Sequence, residues 1–251
     1  MTDAYFRDVL NKYSKEEQHS SKIETTKLAL ESVIRPWAGD CLKEIKLSGS
    51  FAKNTQTSLT TDFDLFVSLN STTQQTPKEI FQLLLSKLQK HYEAKAQNVS
   101  IRLQTNGHDV DIVPAKNQPG NTNDHWLYSN KKEGIIQTNI HKHINHVRDS
   151  NKTDEIKITK IWAKLHKLEF PSFYIELAVI ESLKYKETGK YDPNFQRILE
   201  FLAEEFTDKR FVDPANTNNI ISELLTQEEK KLIAQKAKEG FNAKTWGGVI
   251  W

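Results

Sequence analysis

Cysteine occurs once, at Cys41, so the chain can form no internal disulfide and no cysteine-based zinc module. That scarcity fits a reducing compartment, and the expectation is a cytoplasmic protein. No apolar run approaches the roughly 20 residues that a membrane helix needs. The N-terminal MTDAYFRDVL carries acidic residues where a secretion signal would be basic and then apolar. Charge of one sign is also scarce. A formal net charge of +2 is too small for tight non-specific binding to a long nucleic acid, which takes a strong basic excess or stripe. Partners of nucleotide size stay open, because lysines crowd the stretch from Lys152 to Lys167 and a local basic face can hold a triphosphate.

With 37% hydrophobic and 27% charged residues, the composition suits a folded globular chain. Apolar spacing from Thr2 to Trp37 (Phe6, Val9, Leu10, then Ile23, Leu28, Leu30, Val33, Ile34) predicts two helices or one broken at QHSSK, residues 18–22. The run DFDLFVSL alternates Phe63, Leu65, Val67 and Leu69 with Asp62, Asp64, Phe66 and Ser68, a strand with one apolar face. Residues 80–92 read as an amphipathic helix. VSIRLQT and HDVDIVP flank Asn106-Gly107, the pair that favours a two-residue type I′ hairpin turn, and Pro114 is expected to end the second strand. Residues 115–131 read as a loop and a lobe boundary, followed by helices over about 134–148, 154–168, 172–186, 194–206 and 227–239. The expected fold is α/β, a mixed twisted sheet joined to a mainly helical lobe. The division is residues 1–130, the sheet with its N-terminal helices, and residues 131–251, the helical lobe.

The chemistry is concentrated in carboxylates. Asp62 and Asp64 sit two apart, so a strand puts them on one face, and Asp111 can join them from a neighbouring strand. Three converging carboxylates are hard-oxygen ligands for Mg²⁺, with Mn²⁺ able to substitute. A bound metal pair can activate an attacking hydroxyl while neutralising a leaving pyrophosphate. Asp109 lies on the same face as Asp111 and is the second choice for the third ligand. Upstream, Ser48-Gly49-Ser50 reads as a tight turn into a short helix. There Gly49 lets a phosphate approach the backbone, Ser50 adds a hydroxyl, and Lys53 adds charge one turn later. His141, His143 and His146 read as a helix surface, since i and i+2 positions diverge. Trp126, Tyr128, Phe173 and Tyr174 could stack a base, but such rings are usually core.

GSFAKNT, DFDLFV and VDIVPA resemble, in order, the Gly-Ser motif, the paired aspartates and the third aspartate of the DNA polymerase β nucleotidyltransferase superfamily. ITKIWAKLHK and FPSFYIELAVIESLK resemble the lysine and serine helices of oligoadenylate synthetases, archaeal CCA-adding enzymes and bacterial cyclic-oligonucleotide synthases. QTNIHKHINHV and FVDPANTNNI extend the likeness to the bacterial synthases, so that it covers roughly residues 40–220. The resemblance implies a polymerase β-like catalytic domain over residues 1–130, a nucleotide-clamping domain over 131–251 with the active site in the cleft, and Lys160 and Ser172 holding the triphosphate. It implies a template-independent enzyme joining nucleoside triphosphates into a short linear or cyclic oligonucleotide, a second messenger in antiviral defence read by a downstream effector. Transfer to a tRNA, another RNA or a protein, and an inactive nucleotide-binding module, remain open at this point. Where the family's turn commonly has glycine this chain has Asn54, which tolerates a left-handed backbone and should preserve the turn.

Overall fold

The computed structural model describes residues 3–14, 17–60, 62–120 and 122–251. Its elements run α1 (Asp3–Lys12), α2 (Glu17–Ala38), β1 (Leu42–Leu47), α3 (Gly49–Lys53), β2 (Phe63–Leu69), α4 (Pro77–Leu88), β3 (Lys95–Ala96), β4 (Ile101–Thr105) and β5 (His108–Asn117). They continue β6 (His125–Ser129), β7 (Gly134–Thr138), α5 (Ile140–Arg148), α6 (Thr153–Leu165), α7 (Ser172–Ser182) and α8 (Tyr191–Glu204). The last are β8 (Val212–Asp213), β9 (Asn216–Ile220) and α9 (Gln227–Phe241). The chain divides into two compact units, neither of them contiguous. One comprises Lys15–Ala52 and Thr60–Ile144, the other Met1–Ser14, Lys53–Leu59 and Asn145–Trp251.

The first unit is built on a sheet. Among the described residues seven strands join in the order β1-β2-β5-β4-β3, with β6 pairing β5 and β7 pairing β6. β2 and β5 run parallel and every other pair is antiparallel, so the sheet is mixed as expected. The hairpin turn carries φ of 52° at Asn106 and 77° at Gly107, the left-handed pair a type I′ turn requires. Its two-residue length pairs Thr105 with His108 and then, going outward, Gln104 with Asp109 and Arg102 with Asp111. α4 starts at a reciprocal cap in which Thr76 and Glu79 bond each other's backbone N–H, with Pro77 in the first turn. One face of the sheet packs Phe63, Leu65, Val67, Val110 and Ile112 against Ile23, Leu30 and Ile34 of α2 and Phe81, Leu84 and Leu88 of α4. The other face is not polar throughout, which corrects the one-sided reading of DFDLFVSL. It starts with Asp64, then buries Phe66 and Ser68 to 1% and 0% exposure. Phe66 packs with Ala115, Leu127 and Ile140 in a smaller core.

Three further expectations change. Pro114 does not end β5, which continues to Asn117. β4 leaves that edge after Ile112 and β6 takes it over at Lys116, so the proline falls in a gap where an absent N–H leaves no ladder bond unmade. Residues 125–129 and 134–138 are not loop and helix but a hairpin, β6 with β7, and the helix begins only at Ile140. The sheet-based unit runs on through these strands to Ile144. The break near the N-terminus precedes QHSSK, since α1 stops at Lys12 and α2 already contains residues 18–22. There the Ser14 hydroxyl donates to the Asn11 carbonyl at 2.8 Å, taking an acceptor the helix would otherwise use. Thr2, where that first helix was expected to begin, lies outside the described residues.

The helical unit packs α6, α7, α8 and α9 around Trp162, Tyr174, Phe195, Phe201 and Phe206, with Phe6 and Val9 of α1 in the same core. The final TWGGVIW docks: Trp246, Val249 and Ile250 are buried, and Trp246 Nε1 donates to Asp192 Oδ1 at 2.9 Å. None of the helices among the described residues is long and apolar enough to cross a membrane.

Candidate active site

Parallel pairing of β2 with β5 sets Asp64 directly beside Asp111. Register partners share a face, so both carboxylates lie on the side of the sheet away from α2 and α4. Asp62 stands immediately ahead of β2 rather than on it, and is exposed. Asp109 lies one residue before the pairing with β2 begins at Val110, and it accepts from Gln104 Nε2 at 2.6 Å.

The Gly-Ser turn is tied to this face. The Ser48 N–H donates to the Asp64 carbonyl at 2.8 Å, and Gly49 has φ of 56°. A Cβ added at Gly49 would fall 1.6 Å from Asp64 Oδ2, so any side chain there would displace the Asp64 carboxylate. Ser50 follows in the first turn of α3.

Arg102, which sequence reasoning missed, closes on Asp111. Its Nε donates to Oδ1 at 3.0 Å and its Nη2 to Oδ2, while Ser100 Oγ donates to Oδ1 at 3.4 Å. That hydrogen bonding is the first cause holding the guanidinium above its ordinary value. Burial opposes it, and the charges of Asp111, Asp62 and Asp109 add to it. The signal was available, since a two-residue turn at Asn106-Gly107 dictates that residue 102 faces residue 111.

Among the described residues no three His, Cys, Asp or Glu side chains converge to hold a metal ion as they stand. The donor set nevertheless fits a hard divalent cation. It has two carboxylates in register and a third two positions upstream, and Arg102 is the cation that neutralises Asp111 here.

The helical unit carries a second constellation. Lys53, at the end of α3, and Lys160 of α6 both donate to Glu176 of α7, to Oε2 and Oε1 respectively, each at 2.7 Å. Thr55 Oγ1 donates to Glu176 Oε1 at 3.1 Å and accepts from Lys160 Nζ at 2.9 Å. Glu176 is 1% exposed. Its burial alone would push the carboxyl up, but the charges of Lys160 and Lys53 outweigh that and hold it below the usual range. Ser172 is exposed as the first residue of α7, and no side chain caps that helix, so Ser172 is not spent as a cap. Asn54, between Lys53 and Thr55, has φ of 58°, the left-handed geometry expected of it. Glu176 and Thr55 went unread in the sequence. The visible sign of Glu176 was one acidic residue inside FYIELAVI, where a carboxylate cannot be buried without a partner.

A mixed sheet with paired aspartates on adjacent strands, a Gly-Ser turn against one of them and a lysine-bearing helical unit define a nucleotidyltransferase. Residues 1–151 match the Second Messenger Oligonucleotide or Dinucleotide Synthetase domain, and the chain belongs to that family. It is 22% identical to the CBASS oligonucleotide cyclase CdnC of Escherichia coli strain KTE188, over 94% of this chain and 87% of the relative. It is 24% identical to the cyclic AMP-AMP-AMP synthase of Escherichia coli strain MS 115-1, over 85% of this chain and 79% of that protein. Its fold is that of Escherichia coli MS115-1 CdnC solved with ATP, with a TM-score of 0.77 at 21% identity over 98% of this chain and 94% of the other. The chain is thus an enzyme that builds an oligonucleotide or dinucleotide from nucleoside triphosphates, and divalent metal is the general requirement of such enzymes.

Proposed function

We propose that Asp62, Asp64 and Asp111 are the catalytic carboxylates and the ligands of Mg²⁺, for which Mn²⁺ substitutes. The register of Asp64 with Asp111 carries this reading, and Gly49 pressed against the Asp64 carboxylate supports it. Asp111 is preferred over Asp109 because only Asp111 pairs within the β2 register. When bound, the metal supplies charge neutralisation on phosphate oxygens and lowers the cost of deprotonating the attacking hydroxyl. Gly49 leaves room for a phosphate at the turn, and Ser50 offers its hydroxyl. Lys53 and Lys160 bear the triphosphate's negative charge, and Ser172 donates from the exposed start of α7. A ribose hydroxyl oxygen bonds to the α-phosphorus as the bond to the β-phosphate breaks, and pyrophosphate leaves.

The product is a short linear or cyclic oligonucleotide, made without template or acceptor in the cytoplasm. An effector reads it in antiviral defence; the likeness to a CBASS oligonucleotide cyclase and to a cyclic AMP-AMP-AMP synthase supports the messenger reading. The deciding experiment incubates the protein with ribo- and deoxyribonucleoside triphosphates and Mg²⁺ or Mn²⁺, followed by mass spectrometry. Oligonucleotides from wild type, absent with Asp62→Asn and Asp64→Asn, are expected. Product that appears only when tRNA or a protein acceptor is added would overturn the acceptor-free reading.

A further inference from the structure

α7 is apolar around most of its circumference, with Tyr174, Ile175, Leu177, Ala178 and Val179 all buried, yet its centre holds a carboxylate. Burying that group is unfavourable unless its oxygens are matched, and here each oxygen takes a different lysine. Lys53 reaches it from the segment after the Gly-Ser turn and Lys160 from α6, so one side chain sets the spacing of two ammonium groups far apart in sequence. Lys53 is confined further by the Phe173 ring, whose centroid lies 4.6 Å from Nζ. Thr55 links Lys160 to the same oxygen and closes the cluster. Ser172 lies four residues before Glu176, hence on the same helical face.

We propose that Glu176 is the positioning residue of the triphosphate clamp, holding Lys53 and Lys160 at a fixed separation on the face of α7 that carries Ser172. This rests on the assignment of the two lysines to the triphosphate. Glu176 touches no substrate and acts only through them. A purely architectural ion cluster would make the same contacts, and the two roles separate in how substitutions combine.

Calorimetric titration with inorganic tripolyphosphate, alone and with Mg²⁺, reads the clamp without any base or turnover. Lys53→Met and Lys160→Met should each weaken binding. Glu176→Gln should weaken it on the order of tenfold, the scale seen when an outer partner that orients a binding group is removed. In the Lys53→Met background Glu176→Gln should cost clearly less than in wild type, because the lysine it would have positioned is gone. Equal fractional losses in both backgrounds would mean an architectural role and overturn the proposal. Weakened lysine variants alongside unchanged Glu176→Gln would also overturn it, leaving the triphosphate assignment intact. Lysine variants that bind as wild type would overturn that assignment and the proposal with it. Should Glu176→Gln not fold, Glu176→Asp carries the same test: it keeps the charge but is too short to reach both ammonium groups, and wild-type binding by it would count against the proposal.

Discussion

Arg102 and Asp111 face each other across β4 and β5 and are joined by two hydrogen bonds, a fork on a carboxylate that also stands in register with Asp64. A cation bound at Asp111 must compete with that guanidinium. Arg102 is about half exposed, so the pair contributes at most about 1 kcal/mol. Arg102→Gln should therefore tighten Mn²⁺ binding to the nucleotide-free protein by about two- to fivefold. Titration followed by electron paramagnetic resonance reads this directly. Weaker binding in the variant would show that Arg102 instead orients Asp111 for the metal.

Gly49 and Asp64 are in van der Waals conflict with any β-carbon at position 49. Gly49→Ala adds a left-handed backbone cost of about 1–3 kcal/mol, and the carboxylate must move aside. Turnover should drop by about a hundredfold, out of proportion to the loss of stability. Oligonucleotide yield and the chemical-denaturation midpoint, measured on the same preparation, check it.

Asn54 separates two residues that both contact Glu176. Replacing it with glycine keeps the left-handed geometry and should change stability by only a few tenths of a kcal/mol. Asn54→Val puts a β-branched side chain there at a cost of about 1–3 kcal/mol. Equal melting temperatures for the two variants would contradict the turn geometry.

His125 is buried at the start of β6. Its Nδ1–H donates to the Asn123 carbonyl at 2.8 Å, so Nε2 accepts the Ser68 hydroxyl at 2.7 Å. Burial is the main cause that lowers its pKa, partly offset by the bond to Asn123. A lowered folded value means the unfolded chain takes up the proton first. The associated stability is present above about pH 6.5 and is lost as pH falls from there towards the folded value. Melting curves from pH 8 to 5 should show this slope in wild type and a flatter one in His125→Asn.

Acid should act through Glu176 as well. Its carboxyl is held below the ordinary range, so its stability is present above about pH 4.3 and is lost as pH drops through the lower folded value. Glu176→Gln should lose that acid dependence, and Glu176→Ala, which removes both the charge and the atoms that Lys53, Lys160 and Thr55 contact, should destabilise the helical unit by about 3–5 kcal/mol.

Local chemistry along the chain determined a good deal. The left-handed Asn106-Gly107 pair dictated a hairpin and its register, and with it which residue faces Asp111. Apolar spacing located α4, α6, α8 and α9, because an amphipathic helix encodes its own buried face, and the long apolar run of α7 marked a helix buried on most sides. Acidic residues at 62, 64 and 111 were legible as the proposed metal ligands, since carboxylates are the charged hard-oxygen ligands a chain can supply. Other features needed the tertiary structure. GIIQT is short and apolar, so its periodicity fits strand or helix, and only its partner β6 decides for strand. Pro114 looked like a strand end until the neighbouring edge proved vacant at that position. That Asp64 rather than Asp62 stands beside Asp111 follows from a parallel pairing across an intervening helix. One glutamate gathers lysines 123 and 16 residues away, because a buried carboxylate takes its partners from whatever the fold brings near.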